Sequence, residues 1–252
     1  MDLLQFEKEY KIPVYDTGPD GKLKLYSLFN YLQDIASEHA VRLKFGRDDL
    51  MRENRFWVLS RIVADINFWP EWEETIVVRT WPRGTDKLFA IRDYEVFYRD
   101  GMHIASGSSS WLIIDLTSKK IQRPDEMLSR FNSEVSVKNS FGRNAEKVGS
   151  PSGPYQQSDH FKIKVSDIDI NLHTNFVRYI KWVTDTYDLD YIMGHKPVSL
   201  EVNYHSESVW GEEVLVRRSS ENNTNSFIHS VSRSSDNKEL CRMRIDWKDC
   251  SH

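Results

Sequence analysis

Cysteine is nearly absent: the chain of 252 residues has two, Cys241 and Cys250. They make no CxxC pair, no metal-type cluster and no disulfide framework, which points to a reducing compartment. Long hydrophobic runs are missing too, since no stretch approaches the roughly 18 apolar residues of a membrane span. The opening "MDLLQFEKEYKI" lacks the charged and apolar regions of a secretory signal. A cytoplasmic location without membrane anchorage is therefore expected. Charge of one sign is not in excess: the formal net charge is −4. No global basic field recommends nucleic acid or an anionic membrane as a partner. HExxH, P-loop and GxGxxG patterns do not occur, so neither a metal nor a bound cofactor is expected.

What is present is a core and a repeat. The composition is 39% hydrophobic and 29% charged, enough for one large domain or two of modest size. Leu25, Leu28, Phe29, Leu32, Ile35, Ala36 and Leu43 recur at helical spacing and predict a helix over 25–43 with one buried face. "PDG" at 19–21 supplies a turn before it. Four strand-like runs follow, at 56–68, 75–81, 88–98 and 103–116, with "RDG" at 99–101 as a hairpin turn. The rhythm then lapses into "RNAEKVGSPSGPYQQS", a polar stretch suited to a surface connector. After it the order returns: Phe176, Ile180, Val183 and Tyr187 mark a helix, and strands are predicted near 198–206, 212–219, 226–234 and 239–248.

The repeat extends to residues. "WEETIVVRTW" from Trp72 matches "WGEEVLVRRS" from Trp210, and Trp111 matches Trp247. Two similar α+β units are the simplest account, each an antiparallel sheet wrapped around its own long helix. The expected division is 1–130 for the first, 131–157 for the connector and 158–252 for the second.

The halves differ in chemistry. "DIDINLHTNFVRYIKWV" at 167–183 puts Asp169, Asn171 and His173 two apart before a helix. An extended segment would turn all three to one side. His173 is a candidate base, Asp169 its orienting group, and Asn171 an amide donor for a carbonyl oxygen on which charge develops. Backbone N–H groups near Thr174 and Asn175 would add donors at the same place. Asp and Asn are also ordinary residues at a helix start, where their oxygens satisfy orphan N–H groups, so spacing alone leaves both readings open. The first half has no Asp-x-Asn-x-His; loosely aligned, it offers Gly21, Leu23 and Leu25. Further along, "NYHSESVWGEEV" places Glu207 where helix–strand packing would bring it to His173. Partly removed from water there, Glu207 would gain proton affinity and could activate water.

Other candidates are weaker. "ASGSSSW" at 105–111 lacks the last glycine of a nucleophile elbow and reads as a half-polar strand. "SEH" at 37–39 could supply a ligand or a pocket wall but reads first as a solvated helix face. Cys241 sits in a strand pattern and Cys250 in the tail. Trp57, Trp69, Trp72, Trp81 and Phe89 suit either core packing or an acyl pocket.

These segments resemble the acyl-acyl-carrier-protein thioesterases. "DIDINLHTNFVRYIKWV" is similar to that family's D-x-N-x-H-x-N-N-x-x-Y-x-x-W segment, and "YHSES" at 204–208 to its Y-x-x-E-C segment. "FWVLSRIVADINFWPEWEETIVVRTW" and "IRDYEV" resemble its first-half run. The resemblance implies a tandem (double) hot-dog fold and hydrolysis of the thioester between a fatty acyl chain and acyl carrier protein. It implies a catalytic network of Asp169, Asn171, His173 and Glu207, with either Glu207 or His173 as the immediate base. A cysteine once proposed for the family falls at Ser208, which favours activated water over a thiol nucleophile. The family's second Asn after the His is Phe176, with Asn175 retained. The lack of a plastid transit peptide fits a bacterial cytoplasmic enzyme, as a monomer or homodimer. An acyl-coenzyme A thioesterase, a hot-dog hydratase or dehydratase, and a non-catalytic acyl-binding module are the rival readings.

Overall fold

A computed structural model describes residues 4–124, 141–221 and 225–250. The expected boundary at 130 and residues 131–140 of the connector lie outside the described residues. The chain forms two compact units, built mainly from residues up to Ala145 and from Glu146 onward.

The N-terminal unit comprises β1 (Phe6–Lys11), α1 (Leu25–Arg42), α2 (Arg47–Arg52), β2 (Arg55–Ile66), β3 (Thr75–Asp86), β4 (Phe89–Tyr98), β5 (His103–Asp115) and β6 (Ile121–Gln122). Its sheet runs β1-β3-β4-β5-β2, antiparallel throughout, with β6 on β5. The C-terminal unit comprises β7 (Gln157–Lys162), α3 (Phe176–Thr184), α4 (Leu189–Gly194), β8 (His195–Tyr204), β9 (Glu213–Ser220), β10 (Ser226–Arg233) and β11 (Glu239–Asp249). Its order, β7-β9-β10-β11-β8, repeats the first. Each unit is a hot-dog fold.

The predicted stripe of α1 is buried from Leu25 to Ala36. The helix stops because Lys44 turns left-handed, at φ 62°. Its N–H then bonds Val41 O at 3.0 Å and that of Phe45 bonds Ala40 O at 2.8 Å, capping the last carbonyls. Leu43 therefore lies beyond the helix. Lys8 and Tyr10 of β1 both bond Asp34 of α1, at 2.7 and 2.8 Å, tying the helix to the sheet edge. In "SEH" Ser37 is exposed and Glu38 half-buried, but His39 falls on the buried stripe and is 1% exposed. In "ASGSSSW", Ser108, Ser109 and Ser110 are all buried within β5, so both faces of that strand are covered. Trp69 and Trp81 are core residues, whereas Trp72 is exposed. Trp57 packs on Phe45, Leu50 and Ile113 and donates its indole N–H to Phe45 O at 2.9 Å.

The second helix is shorter than expected, since α3 holds nine residues. Its apolar face, Val177, Ile180 and Val183, is buried, and Trp182 stacks on Phe161 of β7. Cys241 is buried in β11.

The repeat holds at the level of single hydrogen bonds. Ile12 N bonds Glu74 O at 2.8 Å, as Ile163 N bonds Glu212 O at 2.9 Å. Leu23 N bonds Pro70 O at 2.8 Å, as Thr174 N bonds Ser208 O at 2.9 Å. In both units a β-bridge closes a tight turn before the helix, Thr17 with Leu23 and Ile168 with Thr174.

Candidate active site

The polar triplet does not lie on an extended segment. Asp169 to His173 forms the closed turn of the Ile168–Thr174 bridge, with Asp169 N bonded to His173 O at 2.8 Å and Leu172 N to Asp169 O at 3.0 Å. Leu172 takes the left-handed conformation that closes it, φ 63°. Asp169 Oδ1 accepts the N–H groups of Asn171 at 2.8 Å and His173 at 3.4 Å. Asp169 thus shapes the turn through backbone bonds. The turn, and not strand alternation, decides where Asn171 and His173 point.

This turn also corrects the alignment of the halves. Gly18 N bonds Lys22 O at 2.7 Å and Gly21 N bonds Gly18 O at 3.0 Å, the same pair of bonds. Gly21 has φ 74°, matching Leu172. The counterparts of Asp169, Asn171 and His173 are therefore Gly18, Asp20 and Lys22. The counterpart of Glu207, next to Ser208 and hence to Pro70, is Trp69. The first unit has the scaffold without the imidazole and carboxylate.

The structure brings His173 to Glu207: Nε2 lies 3.3 Å from Oε2. The side chains are 37% and 50% exposed.

Two anchors hold the pair. On the helix side, Asn175 caps α3 by accepting Val177 N–H at 3.0 Å, and its own N–H bonds Asp167 O at 2.9 Å. With Thr174 N committed to Ser208 O, the backbone donors expected at Thr174 and Asn175 are already engaged. On the strand side, the segment after β8 is fixed by a buried chain of hydroxyls. Ser208 Oγ donates to Thr174 Oγ1 at 2.8 Å and lies 2.7 Å from Tyr179 Oη. Arg233 Nη2 adds a bond to Glu207 O at 3.0 Å. Ser208 is 1% exposed, a clamp beside Glu207 and no nucleophile. By the spacing of the repeat, Thr174, Tyr179 and Ser208 correspond to Leu23, Leu28 and Pro70, an apolar set. Sequence reasoning named Thr174 only for its backbone N–H, gave the Tyr179 side chain no role and noted Ser208 only as a departure; a further signal was a polar set where the first half is apolar.

Comparison with known proteins gives the family. The Acyl-ACP thioesterase N-terminal domain matches residues 4–131 and the Acyl-ACP thioesterase C-terminal domain residues 154–249. The chain belongs to the acyl-ACP thioesterase family. It is 24% identical over 263 residues to a chloroplastic acyl-[acyl-carrier-protein] hydrolase of Cuphea viscosissima, covering 98% of this chain and 63% of that protein. It is 24% identical over 220 residues to a chloroplastic palmitoyl-acyl carrier protein thioesterase of Arabidopsis thaliana, covering 82% and 53%. The chain thus spans less than two thirds of the length of these curated relatives. Among solved structures, an acyl-ACP thioesterase from Bacteroides thetaiotaomicron superposes with a TM-score of 0.84 at 25% identity, covering 97% of this chain and 98% of that one. The 12:0-ACP thioesterase from Umbellularia californica shares the fold, with a TM-score of 0.82 at 20% identity and coverage of 99% and 98%. Among the described residues of this family member, no helix is long and apolar enough to cross a membrane.

Proposed function

We propose that the chain hydrolyses the thioester joining a fatty acyl group to acyl carrier protein, releasing free fatty acid and ending chain elongation. The observation that carries this is the His173–Glu207 pair at 3.3 Å, held on a turn and a clamp in the one half that has it. The names of the relatives, hydrolases of acyl-acyl carrier protein, support the substrate class.

In this reading the Glu207 carboxylate, 3.3 Å from His173 Nε2, favours the ring proton on that nitrogen and leaves Nδ1 with the lone pair. Nδ1 takes a proton from water as its oxygen attacks the thioester carbonyl. The carbonyl oxygen gains negative charge and is held by the Asn171 amide. Collapse breaks the carbon–sulfur bond, and the imidazolium returns the proton to the departing thiolate. Asp169 is a positioning residue for the turn. Residues 158–252 carry the chemistry and residues 1–130 the acyl chain. The enzyme works in the cytoplasm as a monomer or homodimer.

Thiol release from matched acyl-acyl carrier protein and acyl-coenzyme A substrates tests the reading. We expect turnover on the carrier protein to fall by about 10²–10⁴ in His173→Ala and Glu207→Gln. Near-normal turnover in either variant refutes the assignment. Preference for coenzyme A, hydration of an enoyl thioester, or binding without release would move the protein to one of the rival classes.

A further inference from the structure

The interior of the N-terminal unit contains a cation where an apolar acyl pocket needs none. Arg92 lies on β4, and its Nη1 sits 3.1 Å from His39 Nδ1 and 3.1 Å from Thr80 Oγ1. Both partners are fully covered, at 1% and 0% exposure, so the guanidinium head is inside the unit, between β4 and α1. A guanidinium only donates, so His39 Nδ1 accepts and the imidazole is held neutral.

No carboxylate answers this charge among the described residues. Along β4, Asp93 and Glu95 alternate to the opposite face, where Asp93 is paired with Arg83 at 3.0 Å. Of the acids on α1, Asp34 bonds Lys8, and Glu38 bonds Lys8 and Arg42. The other neighbours on the Arg92 face are neutral: Ser109 directly opposite on β5, Tyr94 Oη 3.1 Å from Ser109 Oγ, and Trp111 Nε1 2.8 Å from the same oxygen. Burial accordingly pushes the Arg92 pKa down. Arg92 Nε and Nη2 make no hydrogen bond among the described residues, yet the side chain is not fully covered. A largely covered cation without a counter-charge is unfavourable, and an unengaged guanidinium edge matches a carboxylate bidentately. His39 is the polar member of the buried stripe Leu28, Leu32, Ile35, so the charge sits beside aliphatic side chains.

We propose that the N-terminal unit holds a carboxylate-binding site, with Arg92 as its cation, that takes the end of an aliphatic chain. The inference rests on the reading that this unit receives the acyl chain. The carboxylate has two sources: the far end of a dicarboxylic acyl thioester, or a free fatty acid acting as inhibitor.

Two arms test it with the full chain and the variants Arg92→Met and Arg92→Lys. The first compares kcat/KM for hexadecanedioyl- and palmitoyl-acyl carrier protein. The second measures equilibrium binding of hexadecanedioic acid, palmitic acid and hexadecanol, and needs no turnover. The expected result is a preference for the carboxylate of about tenfold or more in at least one arm. Arg92→Met loses that preference, and Arg92→Lys, which keeps charge without the fork, retains part of it. Preference in the kinetic arm identifies the dicarboxylic substrate; binding of palmitic acid over hexadecanol identifies the free acid. Equal treatment of carboxylate and neutral ends in both arms, or a preference that survives Arg92→Met, overturns the site. Absence of hydrolysis with Arg92-dependent binding would instead refute the thioesterase reading and leave the site standing.

Discussion

Ser208 illustrates how one residue acts through its neighbour. Its hydroxyl joins Thr174 and Tyr179 in a buried chain, and Glu207 is the next residue along the backbone. Replacing Ser208 with Ala leaves buried hydroxyls unpaired and frees the segment that presents the carboxylate. We expect kcat to fall roughly tenfold with little change in KM. A merely structural role would lower kcat equally in any background. The double variant Ser208→Ala/Glu207→Gln separates the cases: the serine change should cost almost nothing once the carboxylate is gone. Full additivity in that cycle would remove the positioning role. The polar spacing of Asp169, Asn171 and His173 was legible in the sequence; their geometry was not. A left-handed leucine at 172 converts an alternating pattern into a closed turn, and ordinary sequence rules reserve that backbone conformation for glycine, as at Gly21.

At the scale of elements, the central strands of both sheets could be read directly because they are covered and dense in β-branched and aromatic residues. The edge strands β1 and β7 escaped notice. "FEKEYK" and "QSDHFK" alternate in burial but put charge or polarity on every outward position, as edge strands do. Along the pairing of β2 with β5 the backbones approach closely at one glycine. A Cβ on Gly107 would sit 2.7 Å from Val63 O, a backbone atom that cannot rotate away. Gly107→Ala should therefore destabilise the protein by about 1–3 kcal/mol, read as a lower midpoint in urea with an unchanged slope. An unaltered midpoint would mean the two strands yield at no cost.

For the molecule as a whole, the buried imidazole of His229 adds a slope to the acid limb of stability. His229 in β10 is fully covered; its Nε2 accepts from Tyr187 Oη at 2.9 Å, which in turn accepts Trp247 Nε1–H at 3.2 Å. Burial first, and the Arg218 charge second, bring its pKa down from 6.5 to about 3. Below 6.5 the unfolded chain therefore binds a proton that the folded chain refuses. The His229 contribution is complete above that pH and declines as pH falls toward 3, by up to about 1.4 kcal/mol per pH unit. Urea midpoints measured across that window should show this slope, and it should flatten in His229→Gln. An equal slope in the variant would assign acid lability to other groups.

The sequence by itself determined the duplication and the α+β class, because these depend on periodicity and on side-chain types in order along the chain; the hot-dog fold and the family were legible there as a resemblance carried by motifs. The sequence also offered Asp169, Asn171, His173 and Glu207 as site candidates, of which the structure brings His173 and Glu207 within 3.3 Å of each other. Only the tertiary structure decided that Asp169 bonds backbone N–H groups in a turn. It likewise decided that Thr174, Tyr179 and Ser208 form a clamp, and that His39 and Arg92 meet inside a unit whose face had read as solvated. The physical reason is distance along the chain. Arg92 and His39 are 53 residues apart and Ser208 and Thr174 are 34 apart. No local pattern specifies which of many polar side chains will be desolvated together; packing does.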